Sequence, residues 1–205
     1  MAKNKLNDRR GRHDAAYLRA KAERYAGRAI YKLQEIDRKF RLIRRGSRVL
    51  DLGCWPGSWL QYLARKVGPD GFVLGLDLKE VELEFPDHVS ARVGNVEKLQ
   101  CDALLRRFGA FDAVVSDMAP NTSGVRYADQ WGSEELFLCA LRVANQVLRP
   151  GGHFVAKVFQ GGRFPELLAG VRGDFEACKP FRPEGTRPGS IEQYIVGKRR
   201  RAEQT

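Results

Sequence analysis

The stretch Val49-Leu50-Asp51-Leu52-Gly53-Cys54-Trp55-Pro56-Gly57-Ser58-Trp59 decides how the rest of the chain is read. Val49, Leu50 and Leu52 form the short apolar run of a buried strand. Gly53 and Gly57 mark a sharp turn, because a missing side chain opens backbone angles and close approaches that other residues forbid. Beyond the turn, Leu60, Leu63, Ala64 and Val67 recur at helical spacing. A strand feeding a helix through glycines leaves backbone N–H groups aimed at whatever lies over the turn. Doubly wound α/β proteins hold nucleotide-like ligands there. The fingerprint G-x-G-x-x-G is absent, and so is the phosphate loop G-x-x-x-x-G-K-[ST]. With Trp55 and Pro56 inside it, the turn suits a ligand with one anionic anchor rather than a pyrophosphate. S-adenosylmethionine, anchored by its amino-acid carboxylate, is such a ligand. An ordinary strand–turn–helix junction is written the same way, so the turn needs support from elsewhere.

That support begins downstream. Residues 72–78 read as a second strand closing a βαβ unit, with Asp77 near its end, 20 residues after Gly57. A carboxylate at that place can accept from both hydroxyls of a ribose; the alternative is a solvated acid at a strand end. Residues 88–93 form a weaker strand, followed by Asn95, which can bond an adenine edge or cap a turn. Residues 111–117 form a strong strand with Asp117 at its carboxyl end. The stretch through Gly124, Arg126, Tyr127 and Trp131 reads as a polar loop with aromatics, suited to a substrate lid. Ser133 is the expected N-cap of a helix running to Leu148, stopped by Arg149-Pro150-Gly151-Gly152. Then comes His153-Phe154-Val155-Ala156-Lys157-Val158-Phe159, with a lysine inside an apolar run. A buried unpaired ammonium is costly, and an edge-strand lysine fits poorly with apolar neighbours on both sides. A helix over 164–171 and an antiparallel pair over 175–181 and 194–198 complete the chain, with Glu192 just before the last strand. The pattern spells a doubly wound, Rossmann-like α/β fold: a mostly parallel seven-stranded sheet with an antiparallel closing strand.

The 205 residues, 43% hydrophobic, suit a single domain with a sizeable core. No apolar run approaches the ~20 residues of a membrane span, and no apolar stretch of a secretory signal opens the chain. Cys54, Cys101, Cys139 and Cys178 are scattered, so neither a zinc site nor a disulfide framework is expected. The expectation is a cytoplasmic monomer with no metal and no membrane partner. The net charge is +11, and residues 1–48 hold 16 Lys and Arg against 5 Asp and Glu. The whole excess therefore precedes the first core strand. A neutral body with a basic arm, about residues 1–45, is the footprint of a nucleic-acid binder. A solubilising tail would lack the arm's aromatics and periodicity. Residues 1–14 read as loose; from Tyr17 the arm reads as helical, with Ala29, Leu33, Ile36 and Phe40 as one apolar stripe and Lys32 beside it. Lys198-Arg199-Arg200-Arg201 opens a short basic tail over 198–205.

Four segments in order carry a resemblance: Arg28-Ala29-Ile30-Tyr31-Lys32-Leu33, the glycine turn, Ser116-Asp117-Met118-Ala119-Pro120-Asn121, and Ser190-Ile191-Glu192-Gln193-Tyr194. Together they make the chain similar to the FtsJ/RrmJ family of S-adenosylmethionine-dependent ribose 2′-O-methyltransferases of large-subunit ribosomal RNA. The resemblance spans Arg28 to Tyr194 and implies one methyltransferase domain over residues 1–205. By motif it places a catalytic tetrad on Lys32, Asp117, Lys157 and Glu192. Cofactor contacts fall on Gly53, Gly57, Trp59, Asp77, Asn95 and Asp117. The family's turn usually reads G-A-A-P-G-G-W, so Cys54, Trp55 and Ser58 depart from it. Asn95 stands where the family has Asp, a change that bears on cofactor affinity. The implied reaction is methylation of a ribose 2′-hydroxyl, on a uridine, in 23S ribosomal RNA, with the RNA or the large subunit as partner.

In that chemistry Lys157 is the expected base, helped by burial and the Lys32 charge and opposed by Asp117 and Glu192. Lys32 and Glu192 take orienting and electrostatic roles. Rival readings are a non-catalytic RNA-binding assembly factor on the same fold, a nicotinamide oxidoreductase, and a ribose methyltransferase of transfer RNA or messenger caps.

Overall fold

The computed structural model describes residues 15–187 and 189–202. The loose stretch expected over residues 1–14 and the last three residues of the expected tail lie outside the described residues. The element order is α1 (Ala15–Ala22), α2 (Ile30–Phe40), β1 (Arg48–Leu52), α3 (Ser58–Val67), β2 (Phe72–Asp77), β3 (Val89–Val93), α4 (Cys101–Phe108), β4 (Phe111–Ser116), α5 (Arg126–Val147), β5 (Leu148–Phe159), α6 (Phe164–Asp174), β6 (Phe175–Phe181) and β7 (Glu192–Arg200). The strands form one sheet in the order β3-β2-β1-β4-β5-β7-β6. All run parallel except β7, which is antiparallel to both neighbours. The antiparallel strand is thus inserted next to the edge rather than placed on it. Chain order reverses between β1 and β4, which puts the switch point, and the crevice for a ligand, over their carboxyl ends.

Side chains alternate across each strand, so the two faces of the sheet bury different sets. Leu50, Leu52, Val114, Phe154 and Ala156 pack with Leu104, Phe137 and Leu167 under α4, α5 and α6. Val49, Val115, Val155 and Tyr194 pack with Leu33, Ile36, Trp59 and Leu63 under α2 and α3. Each such large side chain, fully buried, contributes about 1.5–3 kcal/mol. Lys157 shares the second face with Val155, one alternation further along β5. It stands where that face runs out, at the carboxyl edge.

Three sequence expectations need correction. The arm is not one helix: α1 ends at Ala22, Arg24 takes a left-handed conformation (φ 60°), and α2 starts at Ile30. The side chain of Gln61 on α3 pins the break, accepting from the Ala26 N–H at 2.8 Å and donating to the Arg24 carbonyl at 3.1 Å. Ser133 is not an N-cap. Helix α5 begins seven residues earlier, at Arg126, and Ser133 lies buried within it, accepting the Phe159 N–H at 2.9 Å. Tyr127 and Trp131 therefore stand exposed on a helix rather than on a loop. Finally, Lys198, Arg199 and Arg200 are not tail: β7 carries them into the sheet, pairing Lys198 with His153 and with Ala177.

Candidate active site

Glycine builds the floor of the crevice. Gly53 has φ +80°, and a Cβ there would stand 2.6 Å from Met118 Cγ. Gly57 has φ +106°, and its Cβ would meet Val81 and Leu83 at 2.8 Å. Both positions need the left-handed region and the space that only glycine leaves. Above the turn lies a cleft of about 500 Å³, within the range of small-molecule sites. Gly53, Asp77, Asn95 and Asp117 line it, with Trp55 and Met118 as apolar walls.

The lining polar groups are held in place by the backbone. Asp77 accepts the Trp55 N–H on one oxygen and the Lys79 N–H on the other, both at 2.9 Å. Its remaining lone pairs are free to accept. Asn95 caps the 3₁₀ turn Val96–Lys98 by accepting the Glu97 N–H at 2.8 Å. Its oxygen already accepts in that cap, and its amide N–H₂ can donate to a ligand. Trp59 and Gly57 do not line the cleft. Trp59 is buried, donates from its indole N–H to the Ala29 carbonyl at 2.8 Å, and packs on Tyr194. Its side chain ties α2 to α3.

Sequence reasoning missed Asp51. It sits on β1 between Gly75 and Val115, with 0% exposure. Both carboxylate oxygens lack a hydrogen-bond partner among the described residues. Burial, and then the Asp117 and Asp77 charges, push its pKa well above the carboxylate range. Its only sequence signal is an acid inside an apolar strand, the same signal that singled out Lys157.

Asp117, which lines the cleft, belongs to a charged cluster. Asp117 follows β4, Lys157 is on β5, and Glu192 opens β7, whose reversed direction brings its first residue to the carboxyl edge. Lys32 comes over from α2. Lys157 Nζ donates to the Asp117 carbonyl at 2.6 Å and lies 3.0 Å from Asp117 Oδ1. Lys32 Nζ lies 2.5 Å from Glu192 Oε1. Lys32, Lys157 and Glu192 are all under 10% exposed, so these are desolvated pairs rather than surface contacts. Tyr194 joins them: its hydroxyl donates to Asp117 Oδ1 at 2.6 Å, it interacts with Glu192, and Lys32 Nζ lies 6.0 Å from its ring centre. Burial alone would raise the Asp117 pKa, but Lys157, Lys32 and the Tyr194 hydroxyl outweigh it and hold the group below the carboxylate range. Burial first, then Asp117 and Glu192, push the Tyr194 phenol well above its ordinary value. The phenol therefore stays protonated and donates.

Fold and site define a class: a doubly wound α/β protein whose nucleoside-type cleft opens onto a desolvated Lys–Asp–Lys–Glu cluster. The chain belongs to the FtsJ-like methyltransferase family, whose model matches residues 25–200. It is similar to ribosomal RNA large subunit methyltransferase E of Syntrophobacter fumaroxidans, 49% identical over 189 residues, 92% of this chain and 96% of that one. The protein of the same name from Sorangium cellulosum is 44% identical over 191 residues, 93% and 90% of the two chains. Among solved structures, a ribosomal RNA methyltransferase of Plasmodium falciparum aligns with TM-score 0.74 at 27% identity, covering 86% of this chain and 98% of its own. Human methyltransferase-like protein 13 shares the fold, with TM-score 0.63 at 13% identity over 85% of each chain.

Proposed function

We propose that the protein transfers the methyl group of S-adenosylmethionine to a ribose 2′-hydroxyl in the RNA of the large ribosomal subunit. The observation that carries this is Lys157: a buried amine, fixed by Asp117, which itself lines a nucleoside-sized cleft. The names of the relatives supply the RNA class. A ribosomal substrate places the enzyme in the cytoplasm.

The residues fit that cofactor. Two carboxylates, Asp77 and Asp117, line the cleft, and such a site favours a cationic ligand. Asp77 would accept from the ribose hydroxyls, and the Asn95 amide would donate to the adenine edge. The Gly53 turn offers the close backbone approach that the amino-acid end needs. When bound, the cofactor supplies a methyl already activated on a sulfonium, so the chain has to provide alignment and a base.

Lys157 provides the base. Once the ammonium has released a proton to solvent, the neutral amine has two N–H bonds and one lone pair. The Asp117 carbonyl at 2.6 Å and Oδ1 at 3.0 Å can accept both bonds, which leaves the lone pair for the hydroxyl proton. As the oxygen–methyl bond forms and the methyl–sulfur bond breaks, that proton passes from the ribose oxygen to Nζ. Lys32 and Glu192 set the field around Lys157 and orient the ribose. Alignment contributes up to about 7–11 kcal/mol, whereas a positioned base gives about 10²–10⁴-fold, so alignment is the larger effect.

The test is to incubate the protein with S-adenosylmethionine and large subunits that lack the modification, then map 2′-O-methyl nucleotides. One modified ribose is expected, and none with Lys157→Ala, whose cofactor binding persists. Absence of methylation on both naked ribosomal RNA and assembled subunits would overturn the function.

A further inference from the structure

The opposite end of the sheet carries a second concave site. At the amino-terminal edge of β4 and β5 lies a pocket of about 340 Å³, lined by Arg41, Arg44, Arg149, Lys198 and Arg199. It gathers residues from the end of α2, the turn before β1, β5 and β7, so the fold rather than a local charge run assembles it. Two of these cations have carboxylate partners. Arg149 pairs with Asp112, and Arg199 with Glu176. Among the described residues, no carboxylate lies within ion-pair distance of Arg41, Arg44 or Lys198. Arg41 and Arg199 both hold left-handed backbone (φ 54° and 57°), a conformation that side chains disfavour. In the wall, Ser47 accepts the Arg44 N–H at 3.1 Å, which leaves its hydroxyl proton to donate.

The pocket also contains its own sensor. His153 Nδ1 accepts the Arg199 N–H at 3.2 Å. Burial, then Lys198, Arg44, Arg149 and Arg199, push its pKa down to about 4. The imidazole stays neutral in a field of uncompensated positive charge, with Asp112 the one carboxylate in the lining among the described residues. Such a concavity fits a phosphate group. Among the described residues, no phenyl, phenol or indole ring lines it as a platform for a base, so the fit is to a nucleic-acid backbone rather than to a base.

We propose that this pocket binds a backbone phosphate of the RNA substrate at a point remote from the catalytic cluster, and that helix α2 is the track between the two. This rests on the RNA methyltransferase function proposed above. Two rulers agree on the span. His153 and Lys157 are four residues apart on β5, roughly 13 Å at strand rise. Lys32 and Arg41 are nine residues apart on α2 and its cap, also roughly 13 Å at helical rise. Arg38 and Lys39, exposed on the last turn of α2, lie along that path. Lys198 and Arg199 thus acquire a role that a tail would not have.

The test uses Arg44→Glu with Lys198→Glu, and the milder Arg44→Gln with Lys198→Gln, none of which touches the catalytic cluster or the cofactor cleft. With the full chain and large-subunit RNA, KM for RNA is expected to rise about tenfold in the charge-reversed pair, while kcat at saturating RNA and cofactor affinity stay put. The slope of log affinity against log salt should shrink by about 0.7–0.9 for each phosphate that the variant no longer neutralises. Nuclear magnetic resonance supplies a second readout. Adding single-stranded RNA to the wild type should raise the His153 pKa, with His88 as internal control. An unchanged KM and salt slope in both variant pairs would overturn the proposal. A His153 shift with a free nucleoside diphosphate but not with RNA would overturn the RNA assignment. A wild type that methylates no RNA would instead sink the function proposed above, and the His153 titration would still decide the pocket.

Discussion

At the residue scale, Lys157 and Asp51 carry opposite lessons. Both are ionisable groups inside apolar strands, but one is partnered and the other is not. If Lys157 takes the hydroxyl proton, Lys157→Arg must be as inactive as Lys157→Ala, because a guanidinium keeps its proton throughout the accessible pH range. A fall of at least ~10²-fold in kcat is expected for both, with cofactor affinity retained; an active Arg variant would reduce Lys157 to an electrostatic role. Asp51 makes a prediction of the other sign. Its folded pKa lies above its unfolded one, so the folded state binds the extra proton, and stability declines as pH rises above the unfolded value of about 3.9. Asp51→Asn removes that penalty. The variant should melt higher than the wild type near neutral pH without cofactor, yet bind S-adenosylmethionine more weakly, as thermal melts and calorimetry would show. Tyr194→Phe deletes only the hydroxyl that donates to Asp117 Oδ1 beside Lys157, and a loss in kcat larger than any rise in KM is expected.

At the element scale, α2 matters twice, as the carrier of Lys32 and as the cover on one face of the sheet. Its seat is Asp37, 1% exposed. One oxygen accepts the Leu42 and Ile43 N–H groups at 2.9 Å; the other takes the Tyr62 hydroxyl at 2.6 Å and lies 2.9 Å from Lys66 Nζ. Removing a buried, fully bonded carboxylate leaves all of these donors short of a partner, and Asp37→Ala should cost about 3–5 kcal/mol. Urea titration with an unchanged slope and a lowered midpoint would register it. The helix also shows why the sequence was legible only in part. Its stripe of Leu33, Ile36 and Phe40 was readable because burial imposes periodicity. The break before it was not, because Gln61, 35 residues from Ala26, supplies the bonds that hold it. Ser133 misled for the same reason. A small polar residue ahead of an apolar run looks like a cap, but its hydroxyl serves a strand 26 residues away. The first turns of α5 left no apolar trace, since Tyr127 and Trp131 face solvent. The central strands are legible because burial on both faces makes them continuously apolar; of the proposed tetrad, Lys157 interrupts and Asp117 ends such a run, whereas Lys32 and Glu192 stand out only through the family resemblance.

At the scale of the whole molecule, the sheet separates two fields. Three carboxylates gather toward its carboxyl edge, where a cationic cofactor is expected, and the cationic pocket sits at its amino edge. The fields leave opposite marks on the pH dependence of stability. His153 has its folded pKa near 4, below its ordinary value of 6.5, so the unfolded chain binds a proton that the folded one refuses. Stability is then fully present above pH ~6.5 and erodes as pH falls toward 4, by about 1–2 kcal/mol once solvent screening of the partly exposed ring is allowed for. Asp51 acts in the opposite sense, eroding stability as pH rises above about 3.9. The two effects therefore oppose one another between about pH 4 and 6.5, and substituting one group unmasks the other. His153→Gln, which keeps a side-chain acceptor for the Arg199 N–H, should gain stability relative to the wild type as pH falls through that range and keep a constant difference above it. Chemical denaturation at stepped pH would measure the difference between variant and wild type, and a difference that stays constant from pH ~6.5 to 4 would show that the positive field does not act through His153.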